Sequence, residues 1–348
     1  MVDNDLLVPY GWTERVRLEY AALLDTDCVP ARVIRMDRGE CDVATPTGPG
    51  RATCPRSDSE VSGLCTGDWV LIDETMHVRR MLPRRSAIVR STASRDSHGQ
   101  VLAANVDTVL VCTAADGDVD LGRIERMLAL AWESGAQPVV VLTKADAADH
   151  LPLDQVSAVA PGATVIAVSA TAGYGLDVLT ALLDGTVALI GPSGAGKSTL
   201  ANALLGAEVF ATNDVRAVDK KGKHTTVHRE LRPLPGGGTL IDTPGLRGVG
   251  IWDATEGIER AFSDIESLAA DCRFNDCAHG GEPGCAVRAA IDSGELTERR
   301  FDNYRKLARE NDWMAARTDK RLRAEREKAW RDITKQHRRM FREKNQRR

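Results

Sequence analysis

Short runs in which apolar and polar residues alternate fill the chain between residues 29 and 85. Gly, Pro and Asp separate these runs at intervals typical of small all-β barrels. The clearest alternating or apolar runs lie at residues 29–33, 41–45 and 69–72, and the turns between them at 39, 47–50 and 67–68. We therefore predict a β-barrel over residues 28–88, preceded by an irregular or helical lead over residues 1–27.

The pattern changes near residue 105, where buried apolar runs begin to alternate with amphipathic stretches. Residues 106–112 predict a buried strand, and residues 121–133 predict a helix with one apolar face. Further apolar runs, each followed by a polar motif, lie at 139–142, 165–168, 187–190 and 239–241. This alternation predicts a parallel sheet covered by helices over residues 100–250, with ligands bound at the carboxyl ends of the strands.

After about residue 251 the periodicity is helical, interrupted by a cysteine-rich loop, and we assign residues 251–348 to a third domain. Residues 299–348 hold 19 Lys or Arg and 8 Asp or Glu, a net charge of +11, whereas the remainder of the chain carries −15. An anionic partner is therefore expected at this end of the chain.

The first residues lack the basic start of a secretory signal, and no apolar stretch approaches the roughly 20 residues of a membrane span. We expect a cytoplasmic monomer without a membrane partner. Of the eight cysteines, three are clustered near the C-terminus. Scattered ones such as Cys41 and Cys112 are interpreted as small buried apolar residues, and no function is assigned to them.

A glycine-rich segment follows the apolar run 187–190 and precedes the helical run 199–205. Its sequence is Gly191, Pro192, Ser193, Gly194, Ala195, Gly196, Lys197, Ser198. In that context the pattern predicts a phosphate-binding loop. Backbone N–H groups surround the phosphates, Lys197 reaches the outer phosphates, the Ser198 hydroxyl binds magnesium, and Thr199 continues the nucleotide contacts.

Asp242-Thr243-Pro244-Gly245 follows the apolar run 239–241. We expect Asp242 to hold magnesium through water and the Gly245 N–H to sense the γ-phosphate. Between the two phosphate motifs, residues 220–226 resemble a first switch loop in polarity and position. Thr225 and Thr226 are both candidates to close over magnesium, and His224 is the candidate catalytic residue that orients water. A plain switch histidine is an equal alternative.

Thr143, Lys144, Ala145 and Asp146 follow the apolar run 139–142. Asp146 is expected to accept two hydrogen bonds from guanine, which adenine cannot supply, so the motif selects GTP over ATP. Ser169 and Ala170, after the next apolar run, are expected to complete the base pocket. The four-residue motif is common in loops, and it indicates a guanine-binding site only together with the phosphate-binding loop.

Three thiols and one imidazole lie within fourteen residues, at Cys272, Cys277, His279 and Cys285. This ligand set matches a tetrahedral zinc site without an open position, so we expect one structural Zn²⁺ beside the Mg²⁺ that accompanies GTP.

With these motifs in this order, the chain resembles the ribosome small-subunit-dependent GTPase A family, RsgA, also called YjeQ or YloQ. The base-reading motif precedes the phosphate loop, and the zinc spacing Cys-x4-Cys-x-His-x5-Cys is the same. The resemblance implies a circularly permuted GTPase domain flanked by an N-terminal β-barrel of the OB-fold and a C-terminal helical zinc-binding domain. It also implies a late assembly factor that binds the 30S subunit and 16S rRNA, is stimulated by the subunit, and leaves after GTP hydrolysis.

Two positions depart from the common GTPase pattern. Thr143 stands where most GTPases have Asn, so we expect the loss of an amide that braces neighbouring loops and weaker nucleotide binding. Leu246 stands where Ras-like enzymes have a water-orienting glutamine, so intrinsic hydrolysis is expected to be slow. Alternatives are the same switch chemistry on another RNA target, a zinc-dependent nucleic-acid-binding protein with a vestigial nucleotide site, and an ATPase.

Overall fold

The computed structural model describes residues 4–23, 27–54, 63–90, 100–210, 229–242 and 254–318. In these parts of the chain no helix has the length and apolar character needed to cross a membrane.

The N-terminal part forms a five-stranded antiparallel sheet in the order β3-β2-β1-β4-β5. Its strands are β1 (Val29–Met36), β2 (Glu40–Thr45), β3 (Gly48–Thr53), β4 (Trp69–Ile72) and β5 (Val78–Met81). The sheet curls until its edges meet, because Thr53 forms a parallel bridge with His77, and its N–H donates to the Met76 carbonyl at 2.8 Å. Alternate side chains such as Val33, Val43 and Val70 are fully buried in the interior.

The lead before this sheet is helical. It contains a 3-10 helix, Asp5–Tyr10, and helix α1, Glu14–Ala21, whose first turn is capped by Thr13. Leu7 and Val16 are fully buried against Trp69 on β4. Burying side chains of this size contributes about 1.5–3 kcal/mol each, so the lead is anchored to the outside of the barrel.

Two short strands, β6 (Ala87–Arg90) and β7 (Gln100–Ala104), pair antiparallel between the barrel and the larger sheet. They were not predicted, and β6 runs across residue 88, where we placed the end of the barrel.

The larger sheet has six strands in the order β10-β9-β8-β11-β13-β12. These are β8 (Thr108–Ala114), β9 (Gln137–Thr143), β10 (Thr164–Ala167), β11 (Thr186–Ile190), β12 (Glu230–Pro233) and β13 (Thr239–Asp242). The five strands predicted from apolar runs are all present and mutually parallel. The unpredicted β12 is antiparallel to β13 at the edge of the sheet, and half of its residues are polar, so it lacks the apolar run that identified the others.

Helices cover both faces of this sheet. On one face α2 (Leu121–Glu133) packs with α6 (Thr255–Ala261), α7 (Ser263–Ala270), α8 (Ala286–Ser293) and α9 (Glu298–Thr318). On the other face lie α4 (Leu176–Leu182) and α5 (Lys197–Leu205), and α3 (Leu153–Ser157) packs beside β10. Helix α2 spans the residues predicted for it, and the Asp120 carboxylate caps it by accepting the Arg123 N–H at 3.0 Å.

A buried polar network joins α9 to the larger sheet through α2. Glu125 on α2 is fully buried, and its carboxylate accepts hydrogen bonds from Arg299, Arg300 and Asn303. Arg300 also donates to Asp264 on α7 at 2.7 Å. A buried carboxylate without such donors is strongly destabilising, so this network fixes how the C-terminal helices sit on the sheet.

The barrel contacts the larger sheet through a buried cation. Arg32 on β1 is fully buried, lies over the Trp69 ring at 4.9 Å, and donates to the Thr186 hydroxyl at 3.1 Å. Burial lowers the pKa of this guanidinium to about 10, which leaves it charged at neutral pH. Thr186 begins β11, the strand that ends at the glycine-rich loop, so this barrel contact lies at the amino end of β11, opposite to the end that carries the loop.

Candidate functional site

The glycine-rich loop lies where a buried strand meets a helix. Strand β11 is buried along its length, and α5 begins at Lys197. A Cβ at Gly191 would lie 2.3 Å from the Cys112 carbonyl oxygen, so only glycine fits there. Gly196 has φ of 70° and is the N-cap of α5, and no described side chain caps that helix. Backbone N–H groups at the helix start are therefore available to an anion, which the helix dipole also favours.

Lys197 is folded back over this loop. Its side chain is buried, and Nζ donates to the carbonyl oxygens of Gly191 at 2.9 Å and Pro192 at 2.7 Å. The ammonium group is thereby held against the backbone of the loop. Ser198 and Thr199 occupy the first turn of α5 and are half-buried, whereas Ser193 and Gly194 at the tip of the loop are exposed.

Asp242 is placed beside the loop by the strand register. It ends β13 and pairs with Leu189, one residue before β11 ends. The side chain of Asp242 is buried. Burial raises the pKa of the neighbouring Cys112 thiol to about 12; the positive charge of Lys197 opposes this shift and the negative charge of Asp242 adds to it. Gly245 and the switch candidates His224, Thr225 and Thr226 lie outside the described residues.

The predicted base-reading residues lie across one cavity from the glycine-rich loop. This cavity, about 240 Å³, has walls contributed by three segments far apart in the sequence. They are residues 143–147 after β9, residues 170–171 after β10, and residues 196–200 at the start of α5. The lining residues are Thr143, Lys144, Asp146, Ala147, Ala170, Thr171, Gly196, Thr199 and Leu200. Because the strands are parallel and adjacent, their carboxyl ends bring these segments to one edge of the sheet.

Thr143 links the two sides of the cavity. Its buried hydroxyl lies 2.9 Å from the Ala195 carbonyl in the glycine-rich loop and 3.2 Å from the Thr113 carbonyl. One hydroxyl has one proton, so it donates to one of these acceptors at a time, and the shorter distance favours Ala195. The amide is absent, as expected, but the Thr143 hydroxyl makes a contact between the two loops in its place. The weaker nucleotide binding expected at this position stays a prediction.

Asp146 is exposed at the mouth of the cavity and held by hydroxyl groups. The nearby Ser169 hydroxyl, the N–H of Asp146 itself and the Thr171 hydroxyl lower the pKa of the carboxylate below the ordinary value of 3.8. The Thr171 contact is 3.4 Å long. Ser169 is fully buried, and its N–H donates to the Tyr174 carbonyl, which fixes it in place. The carboxylate is therefore ionised and oriented at neutral pH.

Lys144 lies at the turn between β9 and the 3-10 helix Ala145–Ala147. The backbone of Lys144 is left-handed, with φ of 57°. Its side chain is half-buried, whereas the preceding residue, Thr143, is buried. Its Nζ forms an ion pair with Asp116 at 2.7 Å. Lys144 also lines the cavity. The Ala145 N–H donates to the Val168 carbonyl at 3.1 Å, which joins this turn to the end of β10.

The four predicted ligands near the C-terminus converge on a single point. The donor atoms of Cys272, Cys277, His279 and Cys285, here called the Cys3His cluster, all lie within 4.8 Å of one another. His279 Nδ1 is 3.4 Å from the Cys285 sulfur and 3.6 Å from the Cys272 sulfur. Metal–ligand distances of about 2.3 Å to sulfur and 2.0 Å to nitrogen give edges of roughly 3.5–3.8 Å in a tetrahedron, so this donor set fits one tetrahedral metal ion.

The loop that carries the cluster is shaped by Glu282. Its carboxylate accepts the N–H groups of Ala278 at 3.1 Å and Gly280 at 2.7 Å. Its own N–H and these two bonds lower the pKa of Glu282, which is half-buried. The Cys285 sulfur accepts the Arg288 N–H at 3.4 Å and so begins α8. The cluster therefore connects the loop to a helix of the core.

Comparison with known proteins decides the family. A model described as RsgA GTPase matches residues 81–252. The small ribosomal subunit biogenesis GTPase RsgA of Streptomyces avermitilis is 56% identical over 337 residues, which cover 93% of this chain and 90% of the relative. The chain belongs to the RsgA GTPase family. The protein of the same description from Streptomyces coelicolor is 53% identical, with 93% of this chain and 91% of the relative covered.

Two solved structures share the fold. YjeQ from Thermotoga maritima is 26% identical, with a TM-score of 0.58, and the match covers 80% of this chain and 97% of that structure. YloQ, described as a circularly permuted GTPase, is 22% identical, with a TM-score of 0.55, and the match covers 85% of this chain and 96% of that structure. The fold is therefore that of a circularly permuted GTPase. Membership of the RsgA GTPase family, which the Streptomyces relatives show, makes the protein a GTPase.

Two residues of the cavity region were missed by sequence reasoning. Thr171 holds Asp146, and Asp116 pairs with Lys144. Thr171 directly follows the predicted Ser169 and Ala170, so its position was a usable signal. Asp116 lies after β8, and nothing in its sequence context indicates that it meets a residue 28 positions later.

Proposed function

We propose that this GTPase acts in biogenesis of the small ribosomal subunit, binding the 30S subunit and its 16S rRNA and leaving after GTP hydrolysis. The description shared by the two Streptomyces relatives, which match over nine-tenths of this chain, supports the proposal. The single observation that carries the chemical part is the common cavity lined by Asp146, on the base-reading side, and Gly196 and Thr199 of the phosphate side.

Within that cavity we assign roles by geometry. Guanine lies between Lys144 and Ala170 and is read by Asp146, while Ser169 orients that carboxylate. The backbone of residues 191–198 surrounds the phosphates. The ammonium of Lys197 leaves its two carbonyl acceptors for the outer phosphates when nucleotide enters, because an anionic oxygen is a stronger acceptor than a carbonyl.

The carboxylate of Asp242 and the hydroxyl of Ser198 suit a hard cation, since Mg²⁺ prefers oxygen ligands. Magnesium with GTP neutralises the charge that develops on the phosphates during hydrolysis. Thr225 or Thr226 is proposed to complete this site. His224 is proposed to orient the attacking water once the subunit orders the segment that carries it.

A single zinc ion in the Cys3His cluster is proposed to be structural. The donors number four, so no position is left open for substrate. The spacing of the donor atoms within one tetrahedron supports this assignment. The ion would hold residues 272–285 against α8.

The barrel is proposed to be an OB-fold over residues 28–88, followed by the GTPase domain over residues 100–250 and the zinc-binding domain over residues 251–348. Five strands in the order β3-β2-β1-β4-β5 and the bridge from Thr53 to His77 support the barrel assignment. With the +11 segment 299–348, it would contact rRNA by shape and phosphate charge, so binding should weaken strongly with salt.

The test is GTP turnover by wild type, His224→Ala and Lys197→Ala, each measured with and without purified 30S subunits. We expect slow turnover alone, stimulation by 30S in wild type, loss of stimulation in His224→Ala, and loss of both in Lys197→Ala. Full stimulation of His224→Ala would remove that residue from the mechanism. Co-sedimentation with 50S or tRNA instead of 30S would favour the same switch on another RNA target. Size-exclusion chromatography tests the expected monomer.

A further inference from the structure

Two cysteines of the barrel lie side by side, far from the nucleotide cavity. Cys41 is the second residue of β2, and Cys54 directly follows β3. Their Sγ atoms are 3.6 Å apart, and both thiols are free. Neither belongs to the Cys3His cluster.

The backbone ladder holds both residues in this arrangement. Cys41 is opposite Ala52 on β3 and Met36 on β1. The Cys54 N–H donates to the Gly39 carbonyl at 3.0 Å, so Cys54 is fixed to the turn that precedes β2. A disulfide has an S–S distance of about 2.05 Å, so the two sulfur atoms must move about 1.5 Å closer to each other by side-chain rotation. The strands therefore bring the sulfurs most of the way to bonding distance.

The two thiols differ chemically. Cys41 is fully buried in the barrel core, whereas Cys54 is half-buried at its rim. The hydrogen bond between them lowers the pKa of Cys54, against the opposing effects of burial and of Glu40. The same hydrogen bond, with burial, raises the pKa of Cys41. A thiolate thus forms more readily on the accessible member, which is the arrangement of an attacking thiol beside a resolving thiol.

We propose that Cys54 and Cys41 are a redox-modification site: hydrogen peroxide oxidises the two thiols, and their sulfur atoms form a reversible disulfide. The Cys54 thiolate attacks one peroxide oxygen, the O–O bond breaks, and with one proton taken up the products are a sulfenic acid and water. The Cys41 sulfur then attacks the Cys54 sulfur, the S–O bond breaks, and a second water leaves. The two thiols lose two electrons, which the peroxide gains, and an external thiol reverses the reaction.

The bond would tie the start of β2 to the end of β3, next to the bridge between Thr53 and His77 that closes the barrel. Oxidation is therefore expected to slow amide exchange at this edge of the barrel. A transient disulfide of this kind is compatible with a reducing compartment.

The experiment uses the full-length reduced protein, exposed to hydrogen peroxide under native conditions and then quenched with acid and an alkylating reagent. Peptide mass analysis is expected to show a Cys41–Cys54 linked peptide, two hydrogen atoms lighter than the sum of its parts, that is lost after reduction. In Cys41→Ala the linked peptide should be absent, and dimedone should trap a sulfenic acid on Cys54. Cys28→Ala is the matched control, because it removes a buried barrel-side thiol outside the pair.

Three results would overturn the proposal. One is that wild type forms no linked peptide while its Cys54 is alkylated as a free thiol after peroxide treatment. Another is that hydrogen peroxide oxidises Cys54 no faster than it oxidises the buried Cys28. The third is that dimedone labels Cys54 equally in wild type and Cys41→Ala, which would mean that Cys41 does not resolve the sulfenic acid. The wild-type measurement does not depend on whether a variant folds.

Discussion

Replacing Thr143 by valine tests whether its hydroxyl joins the base-reading turn to the phosphate loop. Valine keeps the shape of the side chain but leaves the Ala195 carbonyl, 2.9 Å away in the wild type, without this donor. A buried acceptor that loses its partner costs about 1–3 kcal/mol. If that cost falls on the nucleotide-bound form, GDP affinity drops by roughly 5- to 150-fold, since 1.4 kcal/mol is a factor of ten.

The assay is titration of a fluorescent GDP analogue, accompanied by urea unfolding to separate an effect on binding from one on folding. Thr143→Ser is the matched control, because it retains the hydroxyl and should bind within a few-fold of wild type. Equal GDP affinity and equal unfolding free energy in wild type and Thr143→Val would refute the bracing role. Loss of affinity in Thr143→Ser as large as in Thr143→Val would show that packing, rather than the hydrogen bond, is responsible.

Three further predictions concern stability, pH and metal. Glu125→Gln should lower the free energy of unfolding by about 3–5 kcal/mol in urea titrations, because it leaves the nearly buried Arg300 short of a charge partner; a loss no larger than that of Arg126→Gln, whose ion pair is more exposed, would contradict this. The hydroxyl contacts of Asp146 lower its pKa, so their stabilisation is full above pH 3.8 and is lost as the pH falls through the lower folded value; Ser169→Ala should raise the carboxyl pKa in an NMR titration, and an unchanged value would contradict it. A strong zinc chelator should speed hydrogen exchange in α8 without changing GDP affinity, and unchanged exchange would argue against a structural ion.

The parallel strands and helix α2 were predictable because they are continuous apolar runs or one-sided helical patterns. Strand β12 was not, since its four residues include three polar or proline positions and its pairing depends on β13. The pair β6 and β7 was missed for a related reason: each has only four or five residues, and each depends on pairing with the other, which neither residue pattern shows.

The candidate site was predictable as a set of motifs, and its assembly followed from the rule that parallel strands end at one edge. What the sequence did not reveal was side-chain pairing across that edge. The hydrogen bond from Thr143 to Ala195 joins residues 52 positions apart, and the pair of Lys144 with Asp116 joins residues 28 apart. Such contacts depend on strand order, which residue patterns do not specify.

The same limit applies to the barrel cysteines. Cys41 was interpreted as a small buried apolar residue, and its complete burial agrees with that. Its contact with Cys54 required the β2–β3 register, in which Cys41 is opposite Ala52, two residues before Cys54.

The central claim is that Asp146 and the phosphate loop form one guanine-nucleotide site. The most direct test is calorimetric titration of wild-type protein with GDP and with ADP under identical magnesium and salt conditions. Because adenine lacks the donors that the carboxylate requires, we predict that ADP binds about 10²-fold or more weakly than GDP. Equal affinity for the two nucleotides would contradict the claim.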